Sequence, residues 1–433
     1  MSDQTNTLSE KEFKKDYVSY LLGVLVPAII NFLTIPFFKN LLGASQFGVY
    51  SFYFSILLIV NTSFSGGITQ SIIRLHVDYN NNKLFFIHSI WLSVLLQAAL
   101  MLPFFIYIQT SLHIISVSLL FILSLFFANL YTTLLAVTQA NRLSKLSAIA
   151  ETIRTILLLG ISIVLLNFFP GVYFLNAIFF AIACSYTIAA AFLFKFNRFS
   201  FTELFSHFDL PQIKNIGVEI SKYGGFLIGW YFFSFGISLT NRFVLAHFLG
   251  KNNIGNFTAS FDILNKSITV VLAPVVVSLF PLLVKANIQG NDTAVSKFIK
   301  KITVIETGIM ALTIGLFMFF GFKILSLILK TPATSTYLFL DVQVIIGSFI
   351  WQMAMLQHKI LELGKKTGYM LLFVAIGFIS CLCTDIYLIG KYGITYASTG
   401  FLVGGLVYIG CIVYYNSRHR MIGLFGLTGK LSS

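Results

Sequence analysis

Leu42-Gly43-Ala44-Ser45-Gln46-Phe47-Gly48-Val49-Tyr50 returns half a chain later as Leu249-Gly250-Lys251-Asn252-Asn253-Ile254-Gly255-Asn256-Phe257. Both copies read Leu-Gly, three residues, an apolar residue, Gly, any residue, an aromatic. Each follows a long apolar run, to Phe38 and to Phe248, and each opens another rich in aromatics, Tyr50-Ser51-Phe52-Tyr53 and Phe257-Thr258-Ala259-Ser260-Phe261. Self-similarity on matching hydrophobic boundaries argues for duplication and a two-lobed protein. Glycine permits positive φ in a tight connection between helices, a role the spacing suggests for Gly48 and Gly255. The aromatic that follows is expected to anchor the next helix at the membrane surface.

Composition sets the class. Hydrophobic residues make up 57% of the 433 and charged residues 10%, with a mean hydropathy of +0.88, whereas a soluble domain carries roughly a quarter charged residues. Apolar runs long enough to cross a bilayer recur along the whole chain. They are Tyr17–Phe38, Gly48–Ile73, Leu84–Ile108, His113–Val137, Ser147–Phe169, Val172–Phe194, Tyr223–Phe248, Gly255–Leu283, Lys301–Ile328, Thr336–Gln357, Gly368–Ile389 and Thr395–Tyr415. Continuous runs exclude a membrane β-barrel, whose strands alternate over about ten residues. The expected fold is an all-α polytopic membrane protein of about twelve transmembrane helices in two six-helix bundles.

Charge orients the bundle. Alternating the connections puts most Lys and Arg on the side of the N-terminus and leaves only Lys39, Lys251, Lys323, Lys330 and Lys391 opposite. By the positive-inside rule both termini are cytoplasmic. The net charge of +14 is then a topology signal first and an attraction to anionic lipid second. Dispersed cations without a binding fold give no reason to expect nucleic acid. The parts are a cytoplasmic tail 1–16, an N-terminal lobe 17–194, a linker 195–222, a C-terminal lobe 223–415 and a cytoplasmic tail 416–433. The linker mixes Phe199, Phe201, Phe205 and Phe208 with polar residues, as an amphipathic segment at the inner membrane surface would.

No covalent chemistry is signalled. Cys184, Cys381, Cys383 and Cys411 lie in apolar segments without metal or redox spacing and read as small buried hydrophobes. No His-Glu-x-x-His, Gly-x-x-x-x-Gly-Lys or Gly-x-Ser-x-Gly stretch occurs, so neither metal nor cofactor is expected. Transport without a reaction is the leading class, and an enzyme of polysaccharide assembly would be expected to expose a larger loop or domain.

Ionisable residues at membrane depth are therefore the most informative. Arg74 ends the second segment, Glu151 and Arg154 lie in the fifth, Arg242 late in the seventh, and Asp262 and Lys266 in the eighth. Asp262 with Lys266, four apart, and Glu151 with Arg154, three apart, can each neutralise itself on one helix face or serve a ligand or a coupling ion. Arg242 either snorkels to the outer interface or binds substrate. Asp385 is expected at the outer interface. Pro27, Pro36, Pro274 and Pro281 mark places where the first and eighth helices can bend around a cavity.

The run Tyr20-Leu21-Leu22-Gly23-Val24-Leu25-Val26-Pro27-Ala28-Ile29-Ile30-Asn31-Phe32-Leu33-Thr34-Ile35-Pro36, followed by Leu42-Gly43 and Phe47-Gly48-Val49-Tyr50, resembles the opening of the Wzx-type O-antigen and polysaccharide flippases. These belong to the multidrug/oligosaccharidyl-lipid/polysaccharide (MOP) exporter superfamily. The resemblance continues through Ser71-Ile72-Ile73-Arg74, Lys222-Tyr223-Gly224, Asn241-Arg242-Phe243 and Phe248-Leu249-Gly250. Asn241 departs from it, standing where the family often has Asp, as does Gly225-Phe226, where it often has Pro. The resemblance implies a MATE-like fold in the bacterial inner membrane, with two lobes around a cavity that opens alternately to each side. Its substrate would be an undecaprenyl-pyrophosphate-linked oligosaccharide, moved for O-antigen or lipopolysaccharide synthesis with proton or sodium coupling. Its partners would be a polysaccharide polymerase and a chain-length regulator. Arg74, Lys266, Arg242 and Arg154 are the cations available to a pyrophosphate. The alternatives are a MATE-type ion-coupled drug antiporter, and a polymerase or glycosyltransferase of polysaccharide assembly.

Overall fold

The computed structural model describes residues 10–76, 78–79, 82–141, 143–168, 173–288, 292–364 and 366–418, with side chains described over all of these except 10–25, 144, 273–282 and 284–296. The expectations for residues 1–9 and 419–433, and for the rings of Pro274 and Pro281, lie outside the described residues. The first helical run, Glu10–Leu75, is broken by the non-helical backbone of Gly43 into α1 (10–42) and α2 (44–75). There follow α3 (Lys83–Leu112), α4 (Ile115–Ala140), α5 (Ser144–Phe168) and α6 (Phe174–Phe196), then a short linker helix, Phe201–Ser206. The next helices are α7 (Leu210–Leu249) and α8 (Gly255–Ile288), followed by α9 (Asp292–Leu316), which runs through a π turn at Phe317–Gly321 into the helix Phe322–Leu329. The last are α10 (Ser335–Leu363), α11 (Thr367–Tyr392) and α12 (Thr399–Arg418).

Ten described helices are long and apolar enough to cross a membrane, with the run through Gly43 taken as one. That run is two helices when divided at Gly43, and α8 is a further helix of 34 residues. The outward faces are apolar, with Phe168 and Phe319 75% exposed and Leu327 79% exposed. Such a surface is stable against lipid and not against water.

The contacts divide the chain into two compact units. One holds the described residues up to Leu33 together with Phe64–Ile228, and the other Thr34–Ser63 together with the described residues from Gly229. The ends of α1 and α2 that flank Gly43 thus belong with the second half of the sequence.

In the first unit, Ile68 and Ile72 of α2, Phe85 and Phe86 of α3, Tyr131 and Val137 of α4, Ala189 of α6 and Ile216 and Ile220 of α7 form one apolar core. Small residues allow close approach, as in other membrane helices. Gly67 of α2 faces Gly224 of α7 so closely that a Cβ on Gly67 would lie 2.6 Å from the Gly224 carbonyl. The linker is shorter than its sequence suggests, because α7 begins at Leu210. Its helix starts in a capping box of Ser200 with Glu203. It docks through Trp91 of α3, whose Nε1 donates to the Leu204 carbonyl at 2.8 Å and whose ring meets Phe205 and Phe208 edge-on. Phe201 remains exposed.

In the second unit, α7 packs along α11 with the chains rising together. Gly229 meets Leu371, Gly236 meets Phe378 and Phe248 meets Gly390. Lys39 is buried, its ammonium donating to the carbonyls of Leu329 at 2.6 Å and Lys330 at 3.3 Å. It thereby caps a helix C-terminus, where a cation is favoured.

Candidate functional site

The two copies of the glycine motif meet inside the second unit. Positive φ falls on the first glycine of each copy, Gly43 at 75° and Gly250 at 83°, and not on Gly48 or Gly255 as the spacing suggests. The second glycines serve close approach instead. A Cβ on Gly48 would strike the Lys251 carbonyl and lie 3.0 Å from the Gly255 nitrogen, while one on Gly255 would strike the Ala44 carbonyl and lie 2.9 Å from the Gly48 nitrogen. The contact is reciprocal, as a pseudo-two-fold repeat requires.

The motif aromatics are covered by this packing rather than set at a membrane surface. Tyr50 and Phe257 are both buried, Tyr50 against Phe38 and Phe47. Lys251 closes the turn by donating to the Tyr53 hydroxyl at 2.6 Å, above the faces of Phe52 and Tyr53.

This connector turns α8 back along α7 and brings Arg242 to Asp262. Arg242 is 1% exposed. Its Nη2 pairs with the Asp262 carboxylate, its Nη1 donates to Ser55 Oγ at 2.9 Å, and its Nε has no partner among the described residues. It does not snorkel. Asp262, expected either to neutralise Lys266 on its own helix or to serve an ion, is engaged by an arginine from another helix. Lys266, one turn further along α8, is half-buried.

Beside Arg242, Asn241 is buried with neither amide atom partnered among the described residues. The parallel packing of α7 on α11 sets it near the level of Asp385. That residue is wholly buried rather than interfacial, because α12 covers it. Its carboxylate accepts from the Gly400 backbone, and a Cβ on Gly400 would collide with it.

In the first unit, Glu151 and Arg154 pair as their spacing suggests. Arg154 Nε donates to Glu151 Oε2 at 3.1 Å, the Tyr131 hydroxyl donates to the same oxygen at 2.6 Å, and the guanidinium sits 5.0 Å from the Tyr186 ring centroid. The group, drawn from α4, α5 and α6, is closed and neutral. Arg74 differs in being exposed at the end of α2, with its guanidinium 4.2 Å from the centre of the Tyr223 ring.

Two buried acids escape the sequence reading: Asp341 of α10, which takes a hydrogen bond from Ser260, and Glu306 of α9, whose oxygens have no partner among the described residues. An acid inside an apolar segment is the signal that marks both. Among the described residues no cluster of His, Cys, Asp and Glu could hold a metal ion. The four cysteines are free, but only Cys381 is buried, while Cys383 is exposed.

The fold is that of MATE-type transporters, as its likeness to solved structures shows. A mutant of the Vibrio cholerae MATE transporter VcmN matches with a TM-score of 0.67 and 17% identity, over 94% of this chain and 96% of that one. A MOP superfamily transporter from Pyrococcus furiosus, described by the reverse polarity of its binding pocket, matches at 0.68 and 12%, over 93% and 94%. An inward-facing multidrug resistance MATE family transporter matches at 0.72 and 12%, over 92% and 98%. These likenesses concern the fold. No curated protein matches the sequence. The model of the family described as polysaccharide biosynthesis protein matches residues 13–287, more than half of the chain, and the chain belongs to that family.

Proposed function

We propose that this protein is a flippase carrying undecaprenyl-pyrophosphate-linked oligosaccharide repeat units across the bacterial inner membrane by alternating access. It would serve the synthesis of O-antigen or another surface polysaccharide. One observation carries the reading: the span that matches the polysaccharide family, 13–287, contains every depth cation singled out above, Arg74, Arg154, Arg242 and Lys266. A pyrophosphate is a dense anion, and guanidinium or ammonium donors are what replace its water.

The geometry ranks these cations. Arg154 and Arg242 are held by Glu151 and Asp262, so each reaches an anion only when its carboxylate lets go. Arg74, exposed at the end of α2, meets the diphosphate first in this proposal, and Lys266, deeper along α8, is its second ligand. Both termini are cytoplasmic, the lobes span 17–194 and 223–415, and a polymerase with its chain-length regulator receives the unit outside.

A MATE-type antiporter of cationic drugs is the second reading, favoured by the structural likenesses. Such a substrate calls for acids it can reach, whereas Glu151 and Asp262 each carry a guanidinium and the buried acids without one, Glu306, Asp341 and Asp385, are at most 3% exposed. An assembly enzyme would require a chemical centre, which nothing above supplies.

The deciding experiment expresses Arg74→Gln and Lys266→Gln in a strain whose surface polysaccharide depends on this chain. Each variant should reach the membrane at normal abundance, lower export by roughly ten-fold or more, and accumulate the lipid-linked unit on the inner face. Lys266→Arg should keep part of the activity. Wild-type export by both glutamine variants at normal abundance would remove the diphosphate-binding role, and an accumulated cationic drug in place of the saccharide would favour the antiporter.

A further inference from the structure

Glu306 is a carboxyl buried in the second unit. It is 1% exposed, and neither oxygen has a hydrogen-bond partner among the described residues. Its neighbours Val304, Ile305, Thr307 and Gly308 are exposed, so the carboxyl turns inward. One turn earlier on the same face, Thr303 Oγ1 accepts from Nε2 of Gln357 of α10 at 3.4 Å. Gln357 is wholly buried, and its Oε1 is also without a partner. The unpaired atoms are thus the two oxygens of Glu306 and Oε1 of Gln357, acceptors all three, one turn apart on packed helices. Among the described residues none of these three oxygens receives a hydrogen bond.

We propose that Glu306 is a proton-binding site, its carboxylic acid O–H donating to Oε1 of Gln357, and that this proton is the ion exchanged during transport. The second half of that statement rests on the transport reading above; the first does not. One proton removes a desolvated charge and satisfies the Gln357 oxygen at the same time. Asp385 differs in accepting from the Gly400 backbone, and Asn241 in carrying its own amide donor.

The other charges around Glu306 are already committed or distant. On α10, His358 Nδ1 lies 3.4 Å from the Tyr408 hydroxyl and Nε2 lies 3.8 Å from Glu362. Lys359 is paired with Glu362 at 2.6 Å. Asp341 stands at the other end of α10, and on α9 itself Lys300 and Lys301 are exposed. Lys297 of α9 is exposed as well, and α8 carries Lys266, set in sequence four residues after Asp262, and Lys285, whose side chain lies outside the described residues.

The test is infrared difference spectroscopy on the purified full chain, wild type minus Glu306→Gln, titrated through neutral pH. The variant should melt like wild type, because its amide can donate to Gln357 as the acid does. The wild type should show the carbonyl stretch of a protonated carboxylic acid that Glu306→Gln lacks, and Gln357→Leu should move it to higher frequency by removing the acceptor. Absence of that band at neutral pH overturns the proposal. So does a band abolished by sodium chloride but not by potassium chloride at constant pH, which would assign the site to sodium. In cells, polysaccharide export by Glu306→Gln should be insensitive to collapse of the proton gradient, and wild-type sensitivity would overturn the transport half. The spectrum needs no substrate, so failure of the flippase reading leaves the proton site to be judged on its own.

Discussion

Among the described residues, two arginine–carboxylate pairs at membrane depth are built in opposite ways. Glu151 and Arg154 are three residues apart on α5, and their pairing is a property of one helix. Arg242 and Asp262 lie on different helices and meet only because the turn after Gly250 folds α8 back along α7. The local pair keeps a partly exposed carboxylate and has Tyr131 as a second support. The long-range pair is more buried at the arginine and depends on the connector. Similar chemistry therefore rests on a single helix in one unit and on the reciprocal glycine contact in the other.

The severest way to break the comparison is through that contact. Gly255→Val, or Gly48→Val, puts side-chain atoms onto the backbone of the other connector, and neither strand of the turn can yield without moving its helix. The expected result is loss of folded protein by size-exclusion profile, beyond the typical 1–3 kcal/mol of overpacking (about that much being the usual cost). Gly43→Ala, which meets nothing within 4 Å and is strained only through its backbone conformation (φ 75°, ψ 168°), should cost about 1–3 kcal/mol and leave a folded protein. If Gly255→Val and Gly43→Ala behaved alike, backbone conformation rather than close approach would be the reason for the motif.

The next effect separates the pairs themselves. Asp262→Ala strands the Arg242 guanidinium in the core and should destabilise by about 3–5 kcal/mol. Glu151→Ala should cost less, about 1–3 kcal/mol, because Arg154 keeps the face of Tyr186. Combining Arg242→Met with Asp262→Leu should recover most of the first loss. Thermal melts in detergent arranged as a double-mutant cycle would measure both couplings, and equal coupling energies would erase the distinction drawn here.

The smallest effect belongs to a charged pair outside the bundle. Lys83 beside Glu203, in the linker helix, holds that carboxyl below its usual range through a 2.7 Å ion pair and the capping box. A lowered folded value means the contribution is present above about pH 4.3, the ordinary glutamate value, and is lost as pH falls through the lower one. Glu203→Gln should therefore speed amide exchange over Phe201–Ser206 slightly at pH 7. In pulse labelling below pH 3 it should match wild type. A difference that persists at low pH would assign the effect to the cap geometry instead.

Legibility followed range. The twelve apolar segments, the repeated motif and the Glu151–Arg154 pair were all readable, because bilayer length, residue order and a helical spacing of three are local quantities. The assignment of positive φ to Gly48 and Gly255 failed for a local reason as well: the motif offers two glycines per copy, and composition does not say which one bends. Asp385 read as interfacial because its depth along α11 was countable while the covering α12 was not. Tyr50 and Phe257 read as surface anchors for the same reason.

The sequence by itself determined an all-helical membrane chain with an internal repeat, since a bilayer accepts only backbone that satisfies its own hydrogen bonds and enough apolar side chain to face lipid. The tertiary structure alone decided which partner each buried ion takes. It gave Asp262 to Arg242 of α7, left the buried oxygens of Glu306 and Oε1 of Gln357 without a partner among the described residues, and made two glycines halves of one contact. The physical reason is that electrostatics and close packing act over a few ångströms in space, and only the folded helices bring residues far apart in the chain within that reach.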